Sequence, residues 1–466
     1  MTTPDWVQDA IFYQIFPDRF SNGDKSNDPP NVMPWNAIPT STGFWGGDLA
    51  GISDHLDYLE DLGVNAIYLN PIFLASSNHR YNTTDYFTID PKLGDTNDFR
   101  TLIHNAHKKG LRIILDGVFN HCGRGFFAFN DLLENQETSP YRDWFHIYGF
   151  PVEAYKKGKP STYEAWWDFP SLPKFNTNNP RVRKYILQVA RHWIDLGADG
   201  WRLDVPNEID DDAFWSEFRS VVKNANSDAY LLGELWDVNP RWVGEGHFDG
   251  LMNYPLKQAI LDFMNRHIDA AGFQNRVEEL YRFYPAENGY AMYNLLGSHD
   301  TERILTLVNG NFEQLKLIML MQFAFIGAPA IYYGDEIGLT GGKDPECRKS
   351  FLWNEGEWNH EIREWTKSLC KARRNSKALR RGSMEFQHSS VPGTVVLERR
   401  YENELVTIFC NSWQKPTRLH LEIPELQEQS RNMETLARTG SWRFDFSHSC
   451  DIEFDGPGAG ILRFSL

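Results

Sequence analysis

Eight short apolar runs occur between residues 10 and 334, and segments with helical periodicity separate them. This alternation is typical of a parallel sheet whose strands are joined by crossover helices. Eight such strands predict a (β/α)8 barrel of the TIM type, which takes roughly 250 residues. The runs are AIFYQIF (10–16), NAIYLN (65–70), RIILDGV (112–118), GADGWRLD (197–204), AYLLGE (229–234), FDGLMN (248–253), AMYNLLG (291–297) and AIYYG (330–334).

Three of these runs lead into an acidic residue. Asp204 and Glu234 close their runs, and Asp300 follows the seventh within the segment LLGSHD. A buried strand has no reason to end in an acid, whereas the carboxyl ends of barrel strands converge on the face where catalytic groups collect. Converging carboxylates suit cleavage of a glycosidic bond, in which one acid protonates the leaving oxygen and another attacks or stabilises the sugar carbon. Any one of the three, taken singly, would more commonly be a helix N-cap or a solvated acid.

The chain of 466 residues is long enough for a barrel with an insertion and one further small domain. A long segment with few regular signals follows the third run, and segments of that kind are usually functional. Alternating apolar residues after the last barrel helix predict an antiparallel β-sandwich. We therefore expect a catalytic barrel over 1–120 and 176–378, an insertion domain over 121–175, and a C-terminal β-sandwich over 379–466.

The net charge and the composition restrict the kinds of molecule that this protein can bind. The net charge of −16 argues against nucleic acid and anionic membranes, since both select basic patches. Aromatic residues make up 14% of the chain, and polar groups among aromatic faces commonly bind small neutral ligands such as sugars. The five cysteines lack CxxC spacing and indicate reduced thiols. With no signal-peptide pattern and no apolar run of about 18 residues, we predict a cytoplasmic protein.

Four segments carry a resemblance to a known family. DGVFNH (116–121), GWRLDVPNE (200–208), GELW (233–236) and LLGSHD (295–300) resemble the four conserved blocks of the α-amylase superfamily of glycoside hydrolases, in the usual order. LPKFN (172–176) is similar to the MPKLN signature of the cyclomaltodextrinase, maltogenic amylase and neopullulanase branch, with three of five positions matched. The resemblance implies a retaining hydrolase of α-1,4 bonds in cyclodextrins and maltooligosaccharides.

Two alternatives stay open at this stage. A transglycosylase or an α-1,6 debranching enzyme of the same superfamily would share all three acids. A non-catalytic sugar-binding or accessory protein would share the barrel, although the presence of all three acids disfavours it. Members of the branch commonly pair through an extra N-terminal β-domain. Because the first barrel strand here begins about ten residues into the chain, we expect a monomer or an atypical homodimer.

The resemblance also assigns roles. It implies that Asp204 is the nucleophile, Glu234 the acid/base and Asp300 the acid that stabilises the transition state. Arg202 projects to the same side of its strand as Asp204 and should favour the charged form of that acid. Glu234 must hold a proton, which an apolar wall would assist. The implied substrate-binding residues are Tyr81, His121, Arg202, His299, Asn207, Glu208, Trp236, Asp344 and Arg348.

A cluster of oxygen donors near the N-terminus predicts a structural calcium site. Calcium takes six to eight oxygen ligands from carboxylates and carbonyls. The segments NGDKSND and WGGDL resemble the calcium loop of the same branch, although such clusters are more commonly plain turns. The implied ligands are Asn22, Asp24, Asn27, Asp28, Gly46 and Asp48.

Overall fold

The structure is a computed structural model that describes residues 3–420, 433–445 and 451–466. The strands are β1 Phe12–Ile15, β2 Ala66–Leu69, β3 Phe73–Ala75, β4 Thr83–Ile89, β5 Arg112–Gly117, β6 Gly200–Leu203, β7 Tyr230–Gly233, β8 Gly250–Leu251, β9 Tyr293–Leu295, β10 Ala328–Tyr332, β11 Ser383–Gln387, β12 Thr394–Tyr401, β13 Glu404–Asn411, β14 Thr417–His420, β15 Met433–Asp445 and β16 Asp451–Ser465. The α-helices are α1 Leu49–Asp54, α2 Leu56–Leu62, α3 Thr96–Lys108, α4 Phe127–Asn135, α5 Pro180–Asp195, α6 Asp212–Ala225, α7 Tyr254–Met264, α8 Ala270–Arg282, α9 Ala286–Gly289, α10 Ile304–Leu307, α11 Phe312–Ala324, α12 His360–Asn375 and α13 Lys377–Arg381.

Eight parallel strands form the barrel in the order β8, β7, β6, β5, β2, β1, β10 and β9. A parallel bridge between Met252 and Tyr293 joins its two ends. Every barrel strand except the start of β5 is buried along its whole length, as expected of a parallel sheet covered on both faces. The predicted fold class is confirmed: seven of the eight predicted runs contain their strands, and the eighth overlaps β10, which begins two residues earlier, at Ala328.

Helix α5, which precedes β6, shows how the local sequence determines the helices around the barrel. Asn179 caps α5 by accepting a hydrogen bond from the backbone N–H of Arg181, and Pro180 occupies the first helical position. Apolar residues at helical spacing, including Val182, Ile186 and Val189, are buried against the barrel. This packing fixes where β6 begins.

Helix α11 is enclosed on all sides over most of its length. Every residue from Leu315 to Ala324 is buried, because the helix packs against α7, α12 and β10 on the barrel side and against β13, β15 and β16 beyond it. The one amide in this stretch, Gln322, donates to the carbonyls of Asn294 and Ala330, each at 2.7 Å. No helix in the described ranges is long and apolar enough to cross a membrane.

Two excursions leave the barrel on the side of the strand carboxyl ends. The first is the β3–β4 hairpin after β2. The second lies between β5 and α5 and holds α4, three 3-10 turns and several isolated bridges. A bridge between His121 and Lys174 brings the two ends of this second excursion together. The predicted boundaries at 121 and 175 stay a proposal that this bridge supports.

The C-terminal region is an antiparallel sheet of six strands in the order β11, β12, β13, β16 and β14, with β15 also paired to β16. One buried arginine joins this sheet to the barrel, and a second joins α12 to the segment between α11 and β10 and to α13. Arg399 on β12 donates to the carbonyls of Ala324, Gly382 and Ser383. The guanidinium of Arg373 on α12 donates to four main-chain carbonyls, those of Phe323, Phe325, Gly327 and Leu379.

Candidate active site

Three adjacent strands bring carboxylates to one point. Asp116 lies near the end of β5, Asp204 directly after β6, and Glu234 directly after β7. The register places Asp116 opposite Arg202 and Leu203 opposite Gly233, so these acids share one level of the barrel mouth. The parallel topology thus assembles a cluster that is dispersed over 119 positions in the chain.

Arg202 lies at the centre of this cluster. Its Nη1 donates to Asp116 Oδ1 at 2.8 Å and to Asp204 Oδ1 at 2.9 Å. Its Nη2 lies 2.7 Å from Glu234 Oε1, an ionic contact without the direction of a hydrogen bond. The guanidinium is fully buried, and its ion pairs in the described part of the chain are with these three acids. The predicted contact between Arg202 and Asp204 is present.

The electrostatic balance favours one retained proton. Burial raises the pKa of Asp204; Arg202 opposes this shift, and the charges of Glu234 and Asp116 reinforce it. Burial also raises the pKa of Glu234, again against Arg202. The cation therefore does favour the charged form of Asp204, as predicted, but its effect is smaller than that of burial. Asp204 receives a directed hydrogen bond from the Arg202 cation, whereas Glu234 has an undirected contact with that cation and a directed bond only from the neutral Val205 N–H, so Glu234 is the better position for the proton.

Asp300 is held in its ionised form by two neighbours. Burial acts to raise its pKa, but His299 and Arg348 outweigh this and bring it well below its usual range. His299 Nε2 lies 2.9 Å from Asp300 Oδ2, and Arg348 Nη2 donates to Oδ1 at 3.1 Å. Arg348 also pairs with Asp344 at 3.1 Å, so both residues predicted from that segment lie beside the acids.

A hydrogen-bonded network orders the floor of the site. The Tyr81 hydroxyl donates to Asp116 Oδ2 at 2.7 Å and lies 2.6 Å from His299 Nε2, and the two rings stack at 5.3 Å. The Gln14 amide donates to Asn70 and lies 2.9 Å from His299 Nδ1. Nδ1 is therefore the acceptor of the imidazole, and Nε2 carries the proton that faces Tyr81 and the acids.

Backbone strain follows directly after Asp204. Val205 has φ +36° and ψ 53°, a left-handed conformation that is rare for a β-branched residue. Its N–H donates to Glu234 Oε2 at 3.0 Å. Pro206, which the sequence singles out, begins the following 3-10 turn. Strain of this kind persists where the surrounding structure fixes it and is concentrated at functional sites.

A cavity of about 980 Å³ adjoins the acids on the side of β7 to β10. Asp300 and Asp344 line one end of it, and Trp236 stacks on Tyr254 at 3.9 Å with nearly parallel planes. Burial lowers the pKa of Lys257, which also lines the cavity, to about 8. Large apolar faces with a few polar groups are the usual lining of a sugar-sized site.

The remaining predicted residues lie at different distances from the acids. His121 is buried beside Asn120, and burial lowers its pKa to about 3, so its imidazole is neutral at physiological pH. Glu208 pairs with Lys174 at 3.0 Å, and Asn207 is exposed on the same 3-10 turn. Asp116 is absent from the predicted set, although it lies at a strand end just as the other acids do.

The predicted calcium loop is folded around Asp48. Its carboxylate accepts from the N–H groups of Gly23, Asp24 and Gly51 and from the Asn27 amide, at 2.6–3.0 Å. Within the described residues, no three His, Cys, Asp or Glu side chains form a group that could hold a metal. A metal ion in this loop would therefore need amide and main-chain oxygens as ligands to a greater extent than the sequence predicts.

Two of those amide oxygens lack a partner. The Oδ1 atoms of Asn22 and Asn27 are buried and accept no hydrogen bond from any described residue. Gly46 has φ +80°, and a Cβ there would lie 2.2 Å from Asp28 Oδ1. The loop therefore leaves uncompensated oxygens beside a carboxylate, which fits a hard cation. The carboxylate of Asp24 instead accepts from the N–H of Ser26.

The chain is similar to known proteins of one family. The family model described as Alpha amylase, catalytic domain, matches residues 14–395. The chain is 46% identical over 442 residues to a cyclomaltodextrinase of Thermoanaerobacter pseudethanolicus, covering 94% of this chain and 76% of the relative. It is 43% identical over 428 residues to neopullulanase 2 of Thermoactinomyces vulgaris, covering 91% and 73%.

Solved structures show the same likeness. The cyclic α-maltosyl-(1→6)-maltose hydrolase from Arthrobacter globiformis, in complex with cyclic α-maltosyl-(1→6)-maltose, superimposes with a TM-score of 0.91 at 41% identity. The match covers 99% of this chain and 100% of that one.

Proposed function

Because the chain belongs to the α-amylase family of glycoside hydrolases, we propose that it opens cyclic α-glucans and shortens maltooligosaccharides by a retaining mechanism. The protein is an α-glucan hydrolase of the cyclomaltodextrinase, maltogenic amylase and neopullulanase type. The observation that carries the mechanism is the contact of Arg202 with Asp116, Asp204 and Glu234 at the barrel mouth.

In the first step Glu234 donates its proton to the glycosidic oxygen while an oxygen of Asp204 attacks the anomeric carbon. The bond to the leaving sugar breaks, and a covalent glycosyl ester forms on Asp204. In the second step Glu234, now ionised, takes a proton from water, and that water displaces Asp204. Two displacements at one carbon retain the α-configuration.

The neighbouring residues stabilise the charges of these two steps and position the sugar. Arg202 stabilises the carboxylate of Asp204 once the proton is on Glu234. Asp300, kept ionised by His299 and Arg348, offers negative charge to the oxocarbenium-like transition state. Tyr81 and His299 form a stacked wall on which the sugar at the cleaved bond can rest.

A second candidate substrate is a cyclic glucan that contains α-1,6 bonds. Two observations favour testing it: the full-length likeness to the Arthrobacter enzyme, and a cavity large enough to accept a branch beside the Trp236–Tyr254 stack. α-1,6 debranching and glycosyl transfer use the same acids and are distinguished by their products.

One experiment tests the proposal. The protein is incubated with γ-cyclodextrin, cyclic α-maltosyl-(1→6)-maltose, pullulan and soluble starch, and the products are resolved by chromatography. Linear maltooligosaccharides from γ-cyclodextrin are expected, with the α-anomer formed first in an NMR time course. Formation of the β-anomer first would contradict the two-step mechanism, and no product from any α-glucan would contradict the function itself.

We further propose a structural calcium ion held by Asn22, Asn27, Asp28 and the carbonyl of Gly46. The two orphaned amide oxygens and the glycine in a left-handed conformation support it. Calcium there would tie the N-terminal loop to the start of α1, which begins after Asp48. The ion takes no part in bond cleavage.

Cellular location and assembly are also proposals. A cytoplasmic location is supported by the four described cysteines, which are free and buried; Cys450 lies outside the described residues. A monomer or an atypical homodimer remains our prediction, and light scattering on a sizing column measures the mass directly.

A further inference from the structure

A stack of three aromatic rings leads from the active site to the surface of the insertion. Trp166 lies over His121 with ring centroids 5.1 Å apart and planes 15° from parallel. Trp167 stacks in turn on Trp166, with ring centroids 4.8 Å apart and planes 10° from parallel. His121 is buried, whereas 74% of Trp167 is exposed. The large ring of Trp167 therefore ends the stack in solvent.

The backbone holds Trp167 there in an unfavourable conformation. Trp167 has φ +49° and ψ 31°, and Asp168 has φ +61°. Two successive residues other than glycine in the left-handed region are unusual, and strain of this kind is retained where it serves a function. Burial of apolar surface does not explain it, because Trp167 remains mostly in water. Lys159 pairs with Asp168 at 3.0 Å and helps to hold the turn.

The stack also contains polar atoms without partners. His121 Nε2 and Trp166 Nε1 are buried, and neither has a hydrogen-bond partner in the part of the chain that the structure describes. Buried nitrogen atoms are nearly always paired, so two of them in neighbouring rings indicate a ligand that supplies oxygen atoms. Sugar hydroxyl groups do so while the sugar's apolar face covers an aromatic ring.

We propose that Trp167 is a binding platform for a glucosyl unit of a bulky α-glucan, a cyclic one above all, lying outside the buried part of the site. This inference rests on the proposed function. A macrocycle presents one bond at a time to the acids, so most of its sugars lie at the rim of the site. The stack places an exposed indole there, on the side of the acids formed by β5 and the insertion.

The test compares three variants. Trp167→Ala removes the platform, Trp167→Phe keeps an aromatic face, and Tyr155→Ala is the matched control. Tyr155 is a 73% exposed aromatic residue of the same insertion that packs on Arg124 and takes no part in the stack. Steady-state kcat/KM is measured for maltotriose and for γ-cyclodextrin, with circular dichroism to check the fold.

We expect Trp167→Ala to lower kcat/KM for γ-cyclodextrin by about three- to tenfold, the range of one aromatic stacking contact. The loss should be smaller for maltotriose. Trp167→Phe should recover most of the activity, and Tyr155→Ala should match the wild type. Equal losses for both substrates, or the same loss in Tyr155→Ala, would overturn the assignment.

A binding measurement separates this inference from the proposed function. In a Glu234→Gln background, γ-cyclodextrin should protect tryptophan fluorescence from iodide quenching, and Trp167→Ala should reduce that protection, leaving the part contributed by Trp236 beside the acids. If the wild-type protein hydrolyses γ-cyclodextrin but Trp167→Ala changes neither kcat/KM nor quenching, the platform is refuted and the function stands. If the wild type hydrolyses no α-glucan, the proposed function fails first.

Discussion

Glu336 provides the sharpest test of the electrostatics outside the active site. It lies just after β10 and is completely buried, with Oε1 accepting from the hydroxyl groups of Tyr13 at 2.6 Å and Tyr58 at 2.7 Å. No ion pair joins it to a cation within the described ranges, and Oε2 has no hydrogen-bond partner there. Burial raises the pKa of Glu336 to about 7, and the two hydroxyl groups only partly oppose the shift.

The sign and size of the effect on stability follow from linkage. The unfolded chain loses this proton near pH 4.5, whereas the folded protein keeps it until about pH 7. The carboxyl therefore stabilises the fold most below pH 4.5, and that contribution is lost as the pH rises through 7. A difference of two to three pKa units corresponds to about 3 kcal/mol.

Glu336→Gln removes the titration and leaves an amide oxygen that can accept both tyrosine hydroxyl groups. The free energy of unfolding is measured by urea denaturation at pH 5 and pH 8 for the wild type, for Glu336→Gln and for Glu355→Gln, an exposed control. Where refolding is incomplete, unfolding rates replace the equilibrium values. Burial also raises the pKa of the neighbouring Asp335 to about 6, against the opposing effect of Arg303. Because Asp335 is present in all three proteins, its own contribution to the pH dependence of stability cancels in the comparison.

We expect the stability of Glu336→Gln relative to the wild type to improve by about 2.5 kcal/mol between pH 5 and pH 8, because a small part of the effect is already lost at pH 5. The control should follow the wild type at both values. A relative stability of Glu336→Gln that is the same at pH 5 and pH 8 would refute the reasoning, because it would mean that the buried carboxyl ionises near its ordinary pKa.

Three further predictions concern catalysis, the metal and the buried guanidinium of Arg373. Asp204→Asn and Glu234→Gln should each lower kcat by at least about 10³-fold with unchanged circular dichroism, since one removes the nucleophile and the other the transferable proton; substantial residual turnover in pure Asp204→Asn would contradict the assignment. Chelation should lower the melting temperature more than the initial rate at low temperature, because a ligand bound only by the native state stabilises by mass action; an unchanged melting temperature with and without calcium would show a plain turn. Arg373→Met should destabilise the protein by about 3 kcal/mol or more in urea denaturation, because four carbonyls lose their donor, and a loss below about 1 kcal/mol would indicate that water replaces the guanidinium.

Much of the barrel is predictable because its strands are buried on both faces and so appear as continuous apolar runs. The run 248–253 is an informative exception: only Gly250 and Leu251 form β8, since Asn253 already caps α7. The β3–β4 hairpin is missed because its pairing is irregular and because the buried residues of β4 recur at every third position, Thr83, Tyr86 and Ile89, instead of every second.

The active-site residues also divide into those that the sequence predicts and those that only the structure reveals. Asp204, Glu234 and Arg202 are found because a strand fixes their direction, and Asp116 could be found by the same rule. Gln14 and Asn70 are harder to find, because their role depends on a hydrogen bond between β1 and the loop after β2 that sequence spacing does not encode. The directions of the pKa shifts at Asp204 and Glu234 also require the structure, since burial and Arg202 act against each other.

The burial of α11 on all sides limits how this protein can be shortened. A chain ending near residue 380 would keep the barrel and every proposed catalytic acid but would bare the face of α11 that β13, β15 and β16 cover. An exposed apolar patch of that kind promotes aggregation. The C-terminal sheet is therefore needed to keep the barrel soluble. An isolated catalytic fragment would require polar substitutions on that face of α11 in addition to truncation.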